Sequence, residues 1–363
     1  MTEPSEVQPA ISVFAKLPES YSYAAWQNSI PLLRSLLISN TSGEIFDDVR
    51  IELSSQPPFL RNKTWKVNRI LARDKVTIDD RDIDLDVGYL GGLNEAERGQ
   101  VRFKVTAGEK LVTEHVVDLR LLARQQWGGA GSSPELLAAF VMPNDPAVAR
   151  ILKGAASILE RHGKSSSIEG YQSEDPKRVW TLLSAIWSSI ASLKITYASP
   201  PASFEKTGQK TRLPSAVLEQ GLATCLDTSL LFASAIEAAG LHPVVVLTKG
   251  HCFAGAWLAD KLHGKLVEKD SSEIRKAIDA GELVTFESTL ATQASPVRFE
   301  EAVETAREKT GIEQEHEFVA AIDISRARMA QIRPLSSRQS SDCLLYTSPS
   351  PRDLSTSRMP SSA

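Results

Sequence analysis

The feature that most constrains this chain is a change of apolar period along its length. Up to about residue 127, apolar residues recur at every second position. After about residue 145 they recur at every third or fourth. A pleated strand shows alternate residues on one face, and a helix shows residues three and four apart, so one fold type cannot serve both stretches. Val49-Arg50-Ile51-Glu52-Leu53 and Val101-Arg102-Phe103-Lys104-Val105 alternate cleanly, as does Ile83-Asp84-Leu85-Asp86-Val87. Turn signals at Asn40-Thr41-Ser42-Gly43 and Ala107-Gly108 separate such runs. The pattern predicts an antiparallel β-sandwich over 11–127, preceded by a disordered 1–10. No catalytic constellation lies within it.

The Gly- and Ser-rich stretch 128–134 reads as a linker, and 135–335 reads as a second domain of α+β class. Asp145-Pro146 and Asp175-Pro176 each place an acidic N-cap before a first-turn Pro, so each predicts a helix start. A third helix is expected over 225–239, ending at Gly240, a natural left-handed terminator. Strands are expected at 243–247, 251–258, 283–287 and 318–324, with helices at 273–280 and 299–310. Helices first and strands later favour α+β over a wound parallel sheet.

Composition excludes several function classes. The 41 Lys and Arg against 45 Asp and Glu leave a formal charge of −4, which offers no basic footprint for nucleic acid. No apolar run reaches membrane-spanning length, and the acidic Met1-Thr2-Glu3-Pro4-Ser5-Glu6 start is no signal peptide, so a soluble cytoplasmic protein is expected. Cys225, Cys252 and Cys343 form no paired-cysteine motif, so neither a disulfide framework nor a metal or other cofactor is expected. Gly163-Lys164-Ser165 imitates the end of a phosphate loop, but Ile158 stands where its first glycine is needed. Residues 343–363 read as a translated sequencing adapter: Cys343-Leu344-Leu345-Tyr346-Thr347-Ser348-Pro349-Ser350-Pro351-Arg352-Asp353 back-translates to a transposase-type adapter. The expectation is a natural chain continuing past 342, with 336–342 as the start of a truncated linker.

Chemistry concentrates at Cys225, in Gly221-Leu222-Ala223-Thr224-Cys225-Leu226-Asp227. A thiol attacks as thiolate, and a helix N-terminus or a nearby imidazolium lowers its pKa. His251, at the start of a later strand, is the expected base, and Glu287, at the end of another, the expected acid that orients it. Asp260 is the runner-up for that third position. Gln209, Gln220, Arg212, Asp227 and Thr224 complete the candidate set, as oxyanion donors or as residues that hold the nucleophile's loop. An ion pair between Arg212 and Asp227 is expected to order that loop. His242 is expected to be solvated in a loop, His263 to sit in a hairpin turn, and Cys252 to be a small buried residue.

Arg212-Leu213-Pro214, the segment 221–227, Ala238-Ala239-Gly240-Leu241 and Gly250-His251-Cys252-Phe253-Ala254-Gly255-Ala256-Trp257-Leu258 together resemble the transglutaminase-like fold of papain-type cysteine enzymes. The resemblance implies a triad of Cys on a helix, His on the next strand and Asp on a later strand. Glu287-Ser288-Thr289 stands where the family's Asp-Pro-Thr-like context falls, so this chain departs from the family in its acid. Phe140-Val141-Met142-Pro143-Asn144, Gly170-Tyr171-Gln172, Phe204-Glu205-Lys206-Thr207-Gly208-Gln209 and Ile322-Asp323-Ile324 extend the resemblance to transglutaminase-like domains that follow a β-sandwich in large bacterial superfamily-1 helicase-like proteins. It implies missing C-terminal domains as partners, and a protein or peptide substrate.

The residues lead to a thiol-dependent acyl-transfer enzyme acting on peptide or side-chain amides, with hydrolysis favoured over transamidation and deamidation. The alternative is a non-catalytic scaffold that regulates a helicase-like partner. Nucleic-acid binding by this segment is a third class, disfavoured by the charge.

Overall fold

The computed structural model describes residues 10–131, 133–261 and 264–336, so the adapter-like tail, residues 1–9 and His263 lie outside the described residues. The molecule is of mixed α+β class. In its first part, Ile11–Lys16, Ser35–Asn40 and Lys75–Thr77 form a three-stranded sheet. Five strands form a second sheet in the order Ser20–Tyr21, Lys110–Leu121, Glu97–Ala107, Phe46–Gln56, Lys63–Ile70. All pairings are antiparallel except that of Ser20–Tyr21 with the end of Lys110–Leu121. Register follows the alternation: Ile51 pairs with Val105 and Leu53 with Phe103, and all four are buried. Their faces share one apolar cluster with Ile11, Val13, Leu36 and Ile38 of the first sheet.

The strand expected at 83–87 does not form. Only Leu85 makes a bridge, to Leu60, and Asp86 instead caps the helix Val87–Gly92 by accepting from Tyr89 N at 2.8 Å. A short acidic side chain offers the backbone this alternative to a ladder, and here it prevails over alternation. The strand Lys63–Ile70 escapes the apolar pattern because only Trp65 and Ile70 along it are buried.

The segment expected to act as a linker is pinned in place. Trp127 pairs with Gln209, and Ala130 N donates to Glu205 O at 2.7 Å. A side chain at Gly129 (φ +87°) would strike Lys206 O at 2.2 Å, so only glycine fits there. The apolar cluster of the sheets continues through Leu137 and Phe140 to Cys225 and Leu226, and on to Ile332 and Leu335.

In the second part, five strands form an antiparallel sheet: β1 (Pro243–Thr248), β2 (His251–Trp257), β3 (Val267–Glu268), β4 (Leu283–Phe286) and β5 (Phe318–Asp323), in the order β3-β5-β1-β2-β4. Helices α1 (Pro146–Arg161) and α2 (Pro176–Ala191) start at the expected caps: Asp145 accepts from Ala147 N at 2.8 Å, and Asp175 from Lys177 N at 2.9 Å. Gly163 ends the turn after α1 with φ +64°, which explains the glycine of the phosphate-loop look-alike by local geometry. Helix α3 (Cys225–Ala238) is apolar almost all round and lies against β2, whose Cys252, Ala254 and Ala256 are small enough for close approach. The opposite sheet face, with Val246, Phe253 and Trp257, is covered by Ile274 and Ala277 of α4 (Ser271–Asp279). Among the described residues no helix is long and apolar enough to cross a membrane.

Four aromatic rings lock the elements that carry the site. Trp187 of α2 stacks on Phe232 of α3 at 5.5 Å between centroids, Phe232 meets Phe286 of β4 edge-on at 5.0 Å, and Phe286 meets Phe299 of α5 (Phe299–Lys309) at 5.3 Å. Phe286 immediately precedes Glu287. Phe286→Ala is therefore expected to destabilise the protein by about 3–5 kcal/mol in denaturant titration. A loss under about 1 kcal/mol would show that this cluster does not hold β4 in place.

Candidate active site

Cys225 is the first residue of α3. Thr224 caps the helix, its hydroxyl accepting from Asp227 N at 3.2 Å, while Asp227 Oδ2 accepts from Thr224 N at 3.0 Å. This reciprocal capping box fixes the chain on both sides of the thiol. Asp227 is fully buried and also accepts from Arg212, at 2.7 Å from its backbone N and 2.9 Å from Nη1. The expected Arg212–Asp227 pair is thus present, and it ties the preceding loop to the helix start. Gln220 is exposed and joins the outer edge of this network, its Oε1 accepting from Arg212 Nε at 3.2 Å. Gln209 is buried, and its Nε2 donates to Thr224 Oγ1 at 2.9 Å. Its Oε1 has no partner. Trp127, directly across the strand pair, likewise holds a buried Nε1 without one.

His251 opens β2 after the two-residue turn Lys249-Gly250, where Gly250 takes φ +67°. Buried Glu205 anchors that turn by accepting from Gly250 N at 3.0 Å. Glu287 follows β4 and is 2% exposed. His251 Nε2 lies 2.7 Å from Glu287 Oε2, which leaves Nδ1 as the ring nitrogen free for the thiol. Glu287 Oε1 accepts from Thr289 N at 3.1 Å and from Thr289 Oγ1 at 2.7 Å, and Lys309 Nζ donates to Oε2 at 2.6 Å. A buried hydroxyl cluster joins the nucleophile's helix to this strand end. Ser288 Oγ lies 2.9 Å from Ser229 Oγ and 3.2 Å from Thr228 Oγ1, and both of those donate to Cys225 O.

These surroundings set the charges. The Cys225 thiol is held down to about 5, chiefly by a hydrogen bond from the Cys252 thiol, with burial opposing and the His251 imidazolium and the Cys252 backbone N–H assisting. His251 is raised to about 9: burial works against its charge, but its bonds to Cys225 and Glu287 outweigh it. Glu287 is held near 2, because His251 and Lys309 together overcome the cost of burying it. Cys252 itself is pushed well up, by burial and by the neighbouring Cys225. Between about pH 5 and about pH 9 the site therefore holds a thiolate–imidazolium pair. Tyr197 is pushed up to about 12 by burial and by the same neighbouring thiolate. Its chain pairs with Leu222-Ala223, and its ring is partly exposed while Cys225 is wholly buried. Tyr197 thus lies beside the sulfur while itself reaching solvent.

Several expectations change. Asp260 is exposed and faces His242 at 3.5 Å, not His251, because it lies at the far end of β2. His242 is packed against the Tyr171 ring at 4.9 Å and is not a freely solvated loop residue. Cys252 is buried as expected but is more than filler, since its neighbouring thiol lowers the Cys225 pKa. Tyr197, Lys309 and the Thr228–Ser229–Ser288 cluster escape the sequence reading. For Lys309 a signal exists, because it follows buried Phe299, Ala302 and Ala306 at helical spacing. Among the described residues no group of three or more His, Cys, Asp or Glu is arranged to hold a metal ion. No protein-family model and no curated protein matches the chain.

Cys252→Ala removes the largest influence that lowers the Cys225 pKa. The pH of half-maximal iodoacetamide alkylation, at about 5 in the wild type, is expected to rise by about one pH unit or more. An unchanged midpoint would reduce Cys252 to packing.

Proposed function

We propose that this chain is a thiol-dependent acyl-transfer enzyme of the transglutaminase-like, papain-type class, acting on peptide or side-chain amides, with water as the preferred acceptor. The observation that carries this reading is the chain of contacts Cys225–His251–Glu287, with the thiol in the first turn of a capped helix. Such a turn points unpaired backbone N–H groups outward, where they stabilise negative charge.

The Cys225 thiolate would attack the amide carbonyl carbon. The resulting oxyanion would be held by the Cys225 backbone N–H and the Gln209 amide. Rotating that amide by half a turn keeps one bond to Thr224 and turns the NH2 outward as a free donor. The Thr224 hydroxyl then accepts from Asp227 N and donates to Gln209 Oε1, and the amide NH2 takes the place where the oxygen has no partner. The His251 imidazolium would give its Nδ1 proton to the leaving nitrogen as the C–N bond breaks, leaving a thioester. Water would then attack the thioester carbon and pass a proton to His251, and collapse would release the carboxylic acid and the Cys225 thiolate. A primary amine in place of water gives transamidation by the same steps.

Full burial of Cys225 favours one competing reading, a non-catalytic scaffold that keeps the fold. Fluorescent casein, with and without a labelled primary amine, separates the possibilities. Peptide release or amine incorporation that vanishes in a natively folded Cys225→Ala variant is expected. Gln209→Ala is expected to lower that rate about 100-fold while alkylation of Cys225 persists. No Cys225-dependent turnover, together with a thiol that a vinyl sulfone never modifies, would favour the scaffold. If the neighbouring Tyr197 restricts access to Cys225, Tyr197→Ala speeds Cys225 alkylation at fixed pH; an unchanged rate would place the barrier elsewhere.

A further inference from the structure

Helix α5 buries Phe299, Ala302 and Ala306 on one stripe, and Lys309 continues that stripe three residues on. A lysine there runs its stem along apolar surface and delivers its ammonium to one point. That point is Glu287 Oε2, at 2.6 Å, the same oxygen that His251 Nε2 approaches at 2.7 Å. The helix is fixed to the same residue a second time, since Glu287 N donates to Ala302 O at 2.9 Å. Two cations therefore share one oxygen of a carboxylate that is itself 2% exposed, while the lysine side chain keeps 37% of its surface.

We propose that Lys309 is a positioning residue of the Cys225–His251–Glu287 site, which fixes the Glu287 carboxylate and, by competing for its charge, keeps the imidazolium free to surrender its proton to a leaving amine. The proposal rests on the acyl-transfer reading. Glu287 alone would bind the imidazolium more tightly, and a proton held too firmly is slow to leave. A second cation on the same oxygen weakens that hold, consistent with the lowering influence of Lys309 on His251. The other groups facing this pair do not replace Lys309. Cys225, Cys252 and Tyr197 lie on the thiol side. Glu205 is engaged with Gly250 N, and Lys249 lies 3.7 Å from Glu317.

The test uses the whole chain with nitrogen-labelled histidine, following the His251 ring by NMR across pH in the wild type, Lys309→Met and Lys309→Arg. His251→Gln identifies the resonance. The same wild-type sample is alkylated with iodoacetamide at about pH 6, where a free thiol reacts slowly. Rapid wild-type alkylation, a His251 midpoint raised by about one pH unit in Lys309→Met, and a wild-type midpoint in Lys309→Arg are expected. Rapid alkylation with the Lys309→Met midpoint unmoved would overturn the role of Lys309 and leave the acyl-transfer reading intact. Wild-type alkylation no faster than that of a free thiol would overturn both. Should Lys309→Met not fold by circular dichroism, Lys309→Gln, of similar length and without charge, is read in its place.

Discussion

The carboxylate of Glu287 is the constraint on which the site depends. A charge this deeply buried costs several kcal/mol unless it is paired and hydrogen-bonded. Glu287 meets that demand with Thr289 on one oxygen and with His251 and Lys309 on the other. Each partner is thereby fixed. His251 is held by one ring nitrogen, so the other is aimed, and the C-terminal end of α5 is drawn against β4. Phe286 and Phe299, one on each element, pack beside this junction, so apolar burial and charge pairing hold the same position.

A second buried carboxylate, Asp227, serves the nucleophile in the same way. It joins the loop before α3 to the helix itself through Arg212 and Thr224. Between these two acids runs the hydroxyl cluster of Thr228, Ser229 and Ser288. Thiol and imidazole consequently face each other from elements that are cross-braced, and their mutual ionisation follows from enforced proximity in a buried site. The first part of the chain is not a bystander. Trp127 pairs with Gln209, so the proposed oxyanion donor rests on a strand that the two-sheet region helps to hold.

Much of this was legible in the residues. Caps announce themselves through side-chain chemistry next to a periodic run, so Asp145 and Asp175 could be located without coordinates, whereas the capping role of Thr224 emerged only from the fold. The apolar run 251–258, read as a strand, likewise placed His251 at a strand start. What escaped reading depends on long-range packing. Nothing in Tyr197 signals that its short strand will lie beside Leu222-Ala223, and Lys309 looks like an ordinary charged helix end until its stripe is traced. Asp260 and Glu287 could be ranked only by which end of β2 each would face. Alternation misled at 83–87, because Asp86 found a helix to cap.

The proposed chemistry requires Cys225 to be a thiolate at neutral pH, held so by Cys252 and His251. The most direct measurement is the ultraviolet thiolate absorbance of the wild type minus that of Cys225→Ser, titrated from acid to alkali. One equivalent of thiolate is expected at neutral pH, lost on acidification through about pH 5. A difference signal that emerges only near pH 9, where an ordinary cysteine ionises, would contradict it.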